Sequence, residues 1–152
     1  MRKLLAASVL AVAIGLAAMA ATPPQLPVLG QPLPPASAQS LTARRDLQQV
    51  GASAHEYTTP RGVALRAYAA ANGTVFGLAW QGVTAPDFAT ILGSNYAAFE
   101  AAVHAQAPHH RGPLSIQVGN LVVQLGGHMR DLHGRAYLIN EIPPQLSPSA
   151  VR

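Results

Sequence analysis

The chain has 152 residues, enough for one domain. Its formal charge is +4, but Arg2 and Lys3 supply two of those charges. The remainder sets eight arginines, scattered except for Arg44-Arg45, against six acids, with no clustered basic face for a nucleic acid. There is no cysteine, which excludes a disulfide framework, a thiolate metal site, a cysteine nucleophile and a cysteine-linked lipid anchor.

Arg2 and Lys3 precede an unbroken, weakly apolar run from Leu4 to Leu16, followed by Ala18-Met19-Ala20. A positive start, an apolar stretch and small residues at a cleavage point are the pattern of a secretory signal peptide over residues 1–20. Cleavage is expected after Ala20, with Ala36-Ser37-Ala38 as a second site. The processed protein is then periplasmic or secreted, without stable membrane insertion. Residues 22–38 hold six prolines, Pro23, Pro24, Pro27, Pro32, Pro34 and Pro35. Proline fixes φ and lacks an amide donor, so this stretch is neither helix nor central strand. A largely disordered linker is expected over 21–54, carrying one short helix over 40–50 with Ser40 as its cap.

The folded domain is expected over 55–142. Glu56–Thr59 gives a short strand. Val63–Ala71 and Thr74–Trp80 then alternate on either side of Asn72-Gly73, a hairpin signal that requires positive φ at the turn. A two-residue turn there pairs Ala69 with Phe76, Ala67 with Leu78 and Leu65 with Trp80. Leu65, Phe76, Leu78 and Trp80 form the core face, and Arg66 and Tyr68 look outward. A helix follows, opened by Thr84-x-x-Asp87 with Pro86 in its first turn. Phe88, Ile91, Leu92, Tyr96, Phe99 and Val103 recur on one side of it. Gly93 interrupts the run, marking a break into two segments or a close backbone approach.

A second hairpin pairs Leu114–Val118 with Leu121–Leu125 around Gly119-Asn120. Gly126-Gly127 suggests a bulge or bend. His128, Met129 and Arg130 continue the strand, Asp131–Gly134 turns, and Arg135–Ile139 returns. Met129 and Leu138 then face the core, and with the loop tip at His133-Gly134, Arg130 faces Tyr137. Pro143 and Pro144 end the sheet, leaving a loose tail over 143–152. The sum is an α+β fold: an antiparallel sheet of about five strands, two hairpins plus a flanking strand, with one helix packed on one face.

The run Gly73–Gly82, with Pro86-Asp87-Phe88, Leu92-Gly93, Arg111-Gly112-Pro113-Leu114, Gly126-Gly127-His128-Met129-Arg130 and Gly134-Arg135-Ala136-Tyr137, resembles the bacterial domain of unknown function catalogued as number 2844. The resemblance covers roughly His55 to Arg152. Val83 stands where a proline is expected. The resemblance implies an exported protein and brings no catalytic residues with it.

Six histidines raise the question of a metal, but His109 and His110 are adjacent and point apart on an extended segment. No His-x-x-x-His pair or carboxylate stands at ligand spacing. No metal site and no cofactor are expected. Alternation instead gathers His128, Arg130 and Tyr137 on the sheet face away from the helix, with Arg66 and Tyr68 on the matching face of the first hairpin. Arginine offers a planar, bidentate donor, so such a surface suits a small anionic ligand or an envelope partner. The plainer alternative is that one face of an antiparallel sheet is simply wet. Ser94 and Ser115 lack the setting of an activated nucleophile, and no two carboxylates are paired. The expectation is a non-enzymatic binding protein. The alternatives are a hydrolase or lyase using His128 and Arg130, and a structural envelope component.

Overall fold

A computed structural model describes residues 25–34, 40–42, 45–106 and 112–152; of residues 40–42, 45 and 46 only the backbone is described. The expected signal peptide, the second cleavage site and the His109-His110-Arg111 loop lie outside the described residues. Among the described residues no helix is long and apolar enough to cross a membrane.

The fold is α+β. Its strands are β1 (Ser40–Thr42), β2 (Ser53–Thr58), β3 (Ala64–Ala69), β4 (Val75–Gly82), β5 (Leu114–Val118), β6 (Leu121–His128) and β7 (Asp131–Leu138). They form one antiparallel sheet in the order β1-β2-β3-β4-β7-β6-β5. Six of these strands run five to eight residues, and three-residue β1 completes one edge. Helix α1 (Arg45–Gln48) precedes β2. Between β4 and β5 lie α2 (Phe88–Leu92), a single 3₁₀ turn over Gly93–Asn95, and α3 (Tyr96–Ala105).

The β3–β4 hairpin has the expected register at its open end: Leu65 opposite Trp80, Arg66 opposite Ala79, Ala67 opposite Leu78 and Tyr68 opposite Gly77. Toward the tip it departs from expectation. Ala69 pairs with Val75, not Phe76. Positive φ falls on Gly73 (+82°) but not on Asn72, and the Gly73 amide donates to the Ala70 carbonyl. The connection is therefore a turn over Ala70–Gly73 with Gly73 in the left-handed region, longer than the two-residue turn expected. The extra residue emerges as a bulge in which Phe76 and Gly77 together oppose Tyr68. A bulge reverses the alternation beyond it. Phe76 consequently leaves the Leu65–Leu78–Trp80 face and packs against Tyr68 on the other, ring centroids 6.2 Å apart.

The β6–β7 hairpin also closes elsewhere than expected. Gly126 and Gly127 stay paired, with His133 and Leu132, and no bulge forms there. The tip is Met129-Arg130, between the paired residues His128 and Asp131. Met129, expected in the core, is 91% exposed. Arg130 stands in the turn and Tyr137 pairs with Val122, so Arg130 does not face Tyr137.

Both faces of the sheet are covered. Leu65, Leu78, Trp80, Val123 and Leu138 pack under α2 and α3, where Ile91, Leu92 and Phe99 are buried. Asp87 opens α2: its carboxylate accepts the Ala89 amide at 3.1 Å and the Thr90 hydroxyl at 2.8 Å. Pro86 thus lies just outside the helix, not in its first turn. Gly93 both breaks the helix and permits a close approach, since a Cβ there would stand 2.6 Å from Val28 Cγ1. Residues 25–34, expected within a loose linker, run beside the end of β4. The Gly30 amide donates to Val75 O at 2.8 Å, the Val75 amide to Gln31 O at 3.0 Å, and Leu29 is buried against the helices' core.

The opposite face, expected to be open, carries Tyr68, Phe76, Val122 and Tyr137 beneath α1 and the chain's last segment. Leu47 from α1 and Val151 from the tail are fully buried there, and Ile142 and Leu146 pack beside them. The tail expected to be loose is thus part of the fold.

Candidate ligand groove on the second sheet face

Strand pairing aligns two rows of side chains across this second face. The first runs Tyr68–Gly77–Tyr137–Val122 across β3, β4, β7 and β6. The second, one step along each strand, runs Glu56–Arg66–Ala79–Arg135–Gln124–Ser115 from β2 to β5. The tail covers the first row and stops at the second. Beyond it the face opens into a groove of about 1020 Å³, bordered by both arginines, Glu56, Gln81, Gln124 and His133.

Each arginine is half-buried and oriented by a neighbour on its own row. Glu56 Oε1 accepts from Arg66 Nη2 at 2.6 Å and from Nε at 3.2 Å. This hydrogen bond, first among several causes, raises the Arg66 pKa above its ordinary value. Arg135 Nε donates to Gln124 Oε1 at 2.7 Å, and its guanidinium lies 5.8 Å from the Tyr137 ring centre.

Both guanidiniums also hold the tail by its main chain. Arg135 Nη1 donates to the carbonyl oxygens of Pro148 and Val151, each at 3.2 Å. Arg66 Nη1 donates to the main-chain oxygen of Arg152 at 3.0 Å. The Tyr68 hydroxyl donates to that same oxygen and accepts the Arg152 amide at 3.0 Å. The polar groups of Arg66 and Tyr68 thus have structural work that alternation alone does not reveal.

These bonds do not exhaust the donors. Arg135 keeps its Nη2, and Arg66, which also bonds the Tyr68 side chain, keeps one further hydrogen. Among the described residues bordering the groove, Glu56 is the one acid, against Arg66, Arg135 and Arg152. The arrangement can therefore accept an anion over the small side chain of Ala79.

The five residues singled out in the sequence fall into two places. Arg66, Tyr68 and Tyr137 share the second face, Tyr68 and Tyr137 buried under the tail and Arg66 at the groove. His128 and Arg130 belong to the β6–β7 tip, six positions along β6 from the residue opposite Tyr137, or about 20 Å at strand rise. The His128 side chain is 82% exposed and lies 4.0 Å from the Asp131 carboxylate. The proposed His128–Arg130–Tyr137 set does not converge. Arg135 takes the place expected of Arg130. Its signal was present, since Arg135 alternates with Tyr137 in Arg135-Ala136-Tyr137, but it emerges only once the hairpin tip is placed at Met129-Arg130.

Among the described residues no three histidine, aspartate or glutamate side chains gather as a metal set. Ser115 Oγ accepts from Gln124 Nε2 at 3.5 Å and has no base hydrogen-bonded to it among the described residues.

No curated protein and no solved structure matches the chain. A family profile matches residues 26–151, from the Leu26 that packs against the helices' core through the Val151 that closes the second face. By that match the chain belongs to the family described as "Protein of unknown function (DUF2844)".

Proposed function

We propose that this chain is an exported binding protein, non-enzymatic, that takes a small anionic ligand in the second-face groove between Arg66 and Arg135. Support for export comes from the leader pattern of residues 1–20: the positive start, the apolar run and the small residues at Ala18 and Ala20. One observation carries the binding site. Two half-buried guanidiniums, fixed by Glu56 and Gln124, turn spare donors onto one groove that a single acid borders. Pre-oriented arginine donors suit a carboxylate or phosphate, whose binding then costs little side-chain ordering.

Binding is favoured over catalysis because the residues of the catalytic alternative, His128 and Arg130, stand at an exposed hairpin tip outside the groove. Calorimetric titration of the leader-processed chain with succinate and with inorganic phosphate tests the site. Arg135→Gln is expected to weaken binding by about tenfold or more, the loss of one charge-assisted hydrogen bond. Gln81→Ala, at the groove's border, is expected to leave it within about twofold, since the Gln81 amide already donates to Asp131. Absence of binding to either anion, or equal binding by Arg135→Gln, refutes the assignment. Pulse-labelling in a bacterial host tests export, with a shortened product beginning at Ala21 as the expected outcome.

A further inference from the structure

The segment Gly126–Arg130 stood out in the sequence, yet only its glycines border the groove. Its remaining residues build the β6–β7 tip. A Cβ on Gly127 would overlap the Asp131 carbonyl oxygen, so this glycine lets the two strands close tightly. Asp131 braces the base of the tip: its Oδ1 accepts from Gln81 Nε2 at 3.1 Å, and His128 Nε2 lies 4.0 Å from its Oδ2.

The two residues carried on this base have no packing role. Met129 is 91% exposed. Arg130 has φ +70°, while every other positive-φ residue described is a glycine. A side chain is disfavoured in that region, and such strain persists where something compensates for it. Among the described residues the Arg130 guanidinium has no hydrogen-bond or ion-pair partner, so the side chain itself returns nothing to the described fold. Val83 is 62% exposed and follows Gly82, whose partner is Leu132. It therefore projects from the same end of the sheet as the tip.

We infer that this end of the sheet touches the surface of an anionic phospholipid bilayer, with Met129 and Val83 entering the acyl boundary and Arg130 meeting the phosphates. A bilayer stacks an anionic layer over an apolar one, which matches a free cation beside exposed apolar side chains. A protein partner fits less well. A stable protein interface needs roughly 800 Å² a side, and three projecting side chains offer far less. With one cation and two apolar groups the attachment is reversible, short of the two strong signals that stable anchoring takes.

Flotation tests this with the leader-processed chain, which keeps every element of the described fold. Vesicles of phosphatidylcholine alone are compared with vesicles containing phosphatidylcholine and phosphatidylglycerol in equal parts. The chain is expected to float with the second and not the first. Arg130→Gly, which relieves the backbone and so keeps the fold, is expected to lower vesicle affinity about fivefold, the weight of one basic residue near an anionic surface. Met129→Ser is expected to lower it as well, and thermal melts confirm that both variants remain folded. Failure to float, or equal flotation of the two variants and the parent, overturns the inference. So does loss of flotation in Arg135→Gln with retention in Arg130→Gly, which would put the lipid headgroup in the groove instead.

Discussion

Val151 fills the space that a side chain on Gly77 would need. A Cβ on Gly77 would stand 2.7 Å from Val151 Cγ2 and 3.2 Å from Cγ1. The contact lies between Tyr68 and Tyr137, at the centre of the row that the tail covers. Gly77→Ala must therefore move either the tail or β4. Overpacking of this kind costs about 1–3 kcal/mol. Urea unfolding is expected to report a loss in that range, and hydrogen exchange at the Arg152 amide is expected to accelerate. A loss below about 0.5 kcal/mol, typical of a surface substitution, would mean that the tail does not seal this face.

Trp80 anchors the other face in the same manner. It is 4% exposed, meets Phe88 edge-on at 5.5 Å, and lies over Gly134, where a Cβ would stand 2.5 Å from Trp80 Cζ2. Trp80→Ala empties a cavity beneath α2 that the rigid strands around it cannot fill. The expected cost is about 3–5 kcal/mol in equilibrium unfolding. A loss under about 1 kcal/mol would contradict the burial of this ring.

The positions of these two residues show what was legible in the sequence and what was not. Trp80 follows from alternation with Leu78 on its own strand and from its pairing with Leu65, a period-2 signal that is local and intact in this half of the hairpin. Phe76 sits in the same alternation but past a bulge, and a bulge leaves no mark in hydrophobic patterning. The second face was misjudged because its cover carries no period at all. Ile142, Leu146 and Val151 are separated by prolines and serines, so the segment resembles a loose tail, although each side chain finds a place on the sheet. Arg66 and Tyr68 then looked like solvent-facing polar residues. Their hydroxyl and guanidinium in fact hold the main chain of that tail. A turn placed four residues late hid Arg135, because the glycines at 126 and 127 suggested a bend where the strands only approach more closely.

Arg130 allows a test in the direction of greater stability. Its left-handed backbone disfavours any residue with a Cβ, and its guanidinium contributes no bond among the described residues. Arg130→Gly is expected to raise stability by about 0.5–1 kcal/mol, the relief of strain less the entropy that glycine adds to the unfolded chain. Arg130→Ala keeps the strain and is expected to fall within about 0.5 kcal/mol of the parent. Thermal and urea unfolding of the pair check this, and destabilisation by both would mean that the side chain supports the hairpin.

His55 makes stability depend on pH in a definite direction. Its imidazole is partly buried on β2 and shares a hydrogen bond of 2.9 Å with Ser53 Oγ. Burial lowers its pKa below the ordinary 6.5, because desolvation penalises the charged ring. On acidification the unfolded chain takes the proton first, so this group's contribution is complete above pH 6.5 and is lost as pH falls below it. The carboxylate of Asp87 does not confuse that window: the Thr90 hydroxyl is the leading cause of its lowered pKa, so its contribution persists until pH falls below the ordinary 3.8. His55→Gln keeps a polar partner for Ser53 and does not titrate. Urea unfolding from about pH 8 to pH 5 is expected to show the parent losing stability relative to His55→Gln across the lower half of that range. Parallel curves for the two proteins would place His55 in solvent and remove the effect.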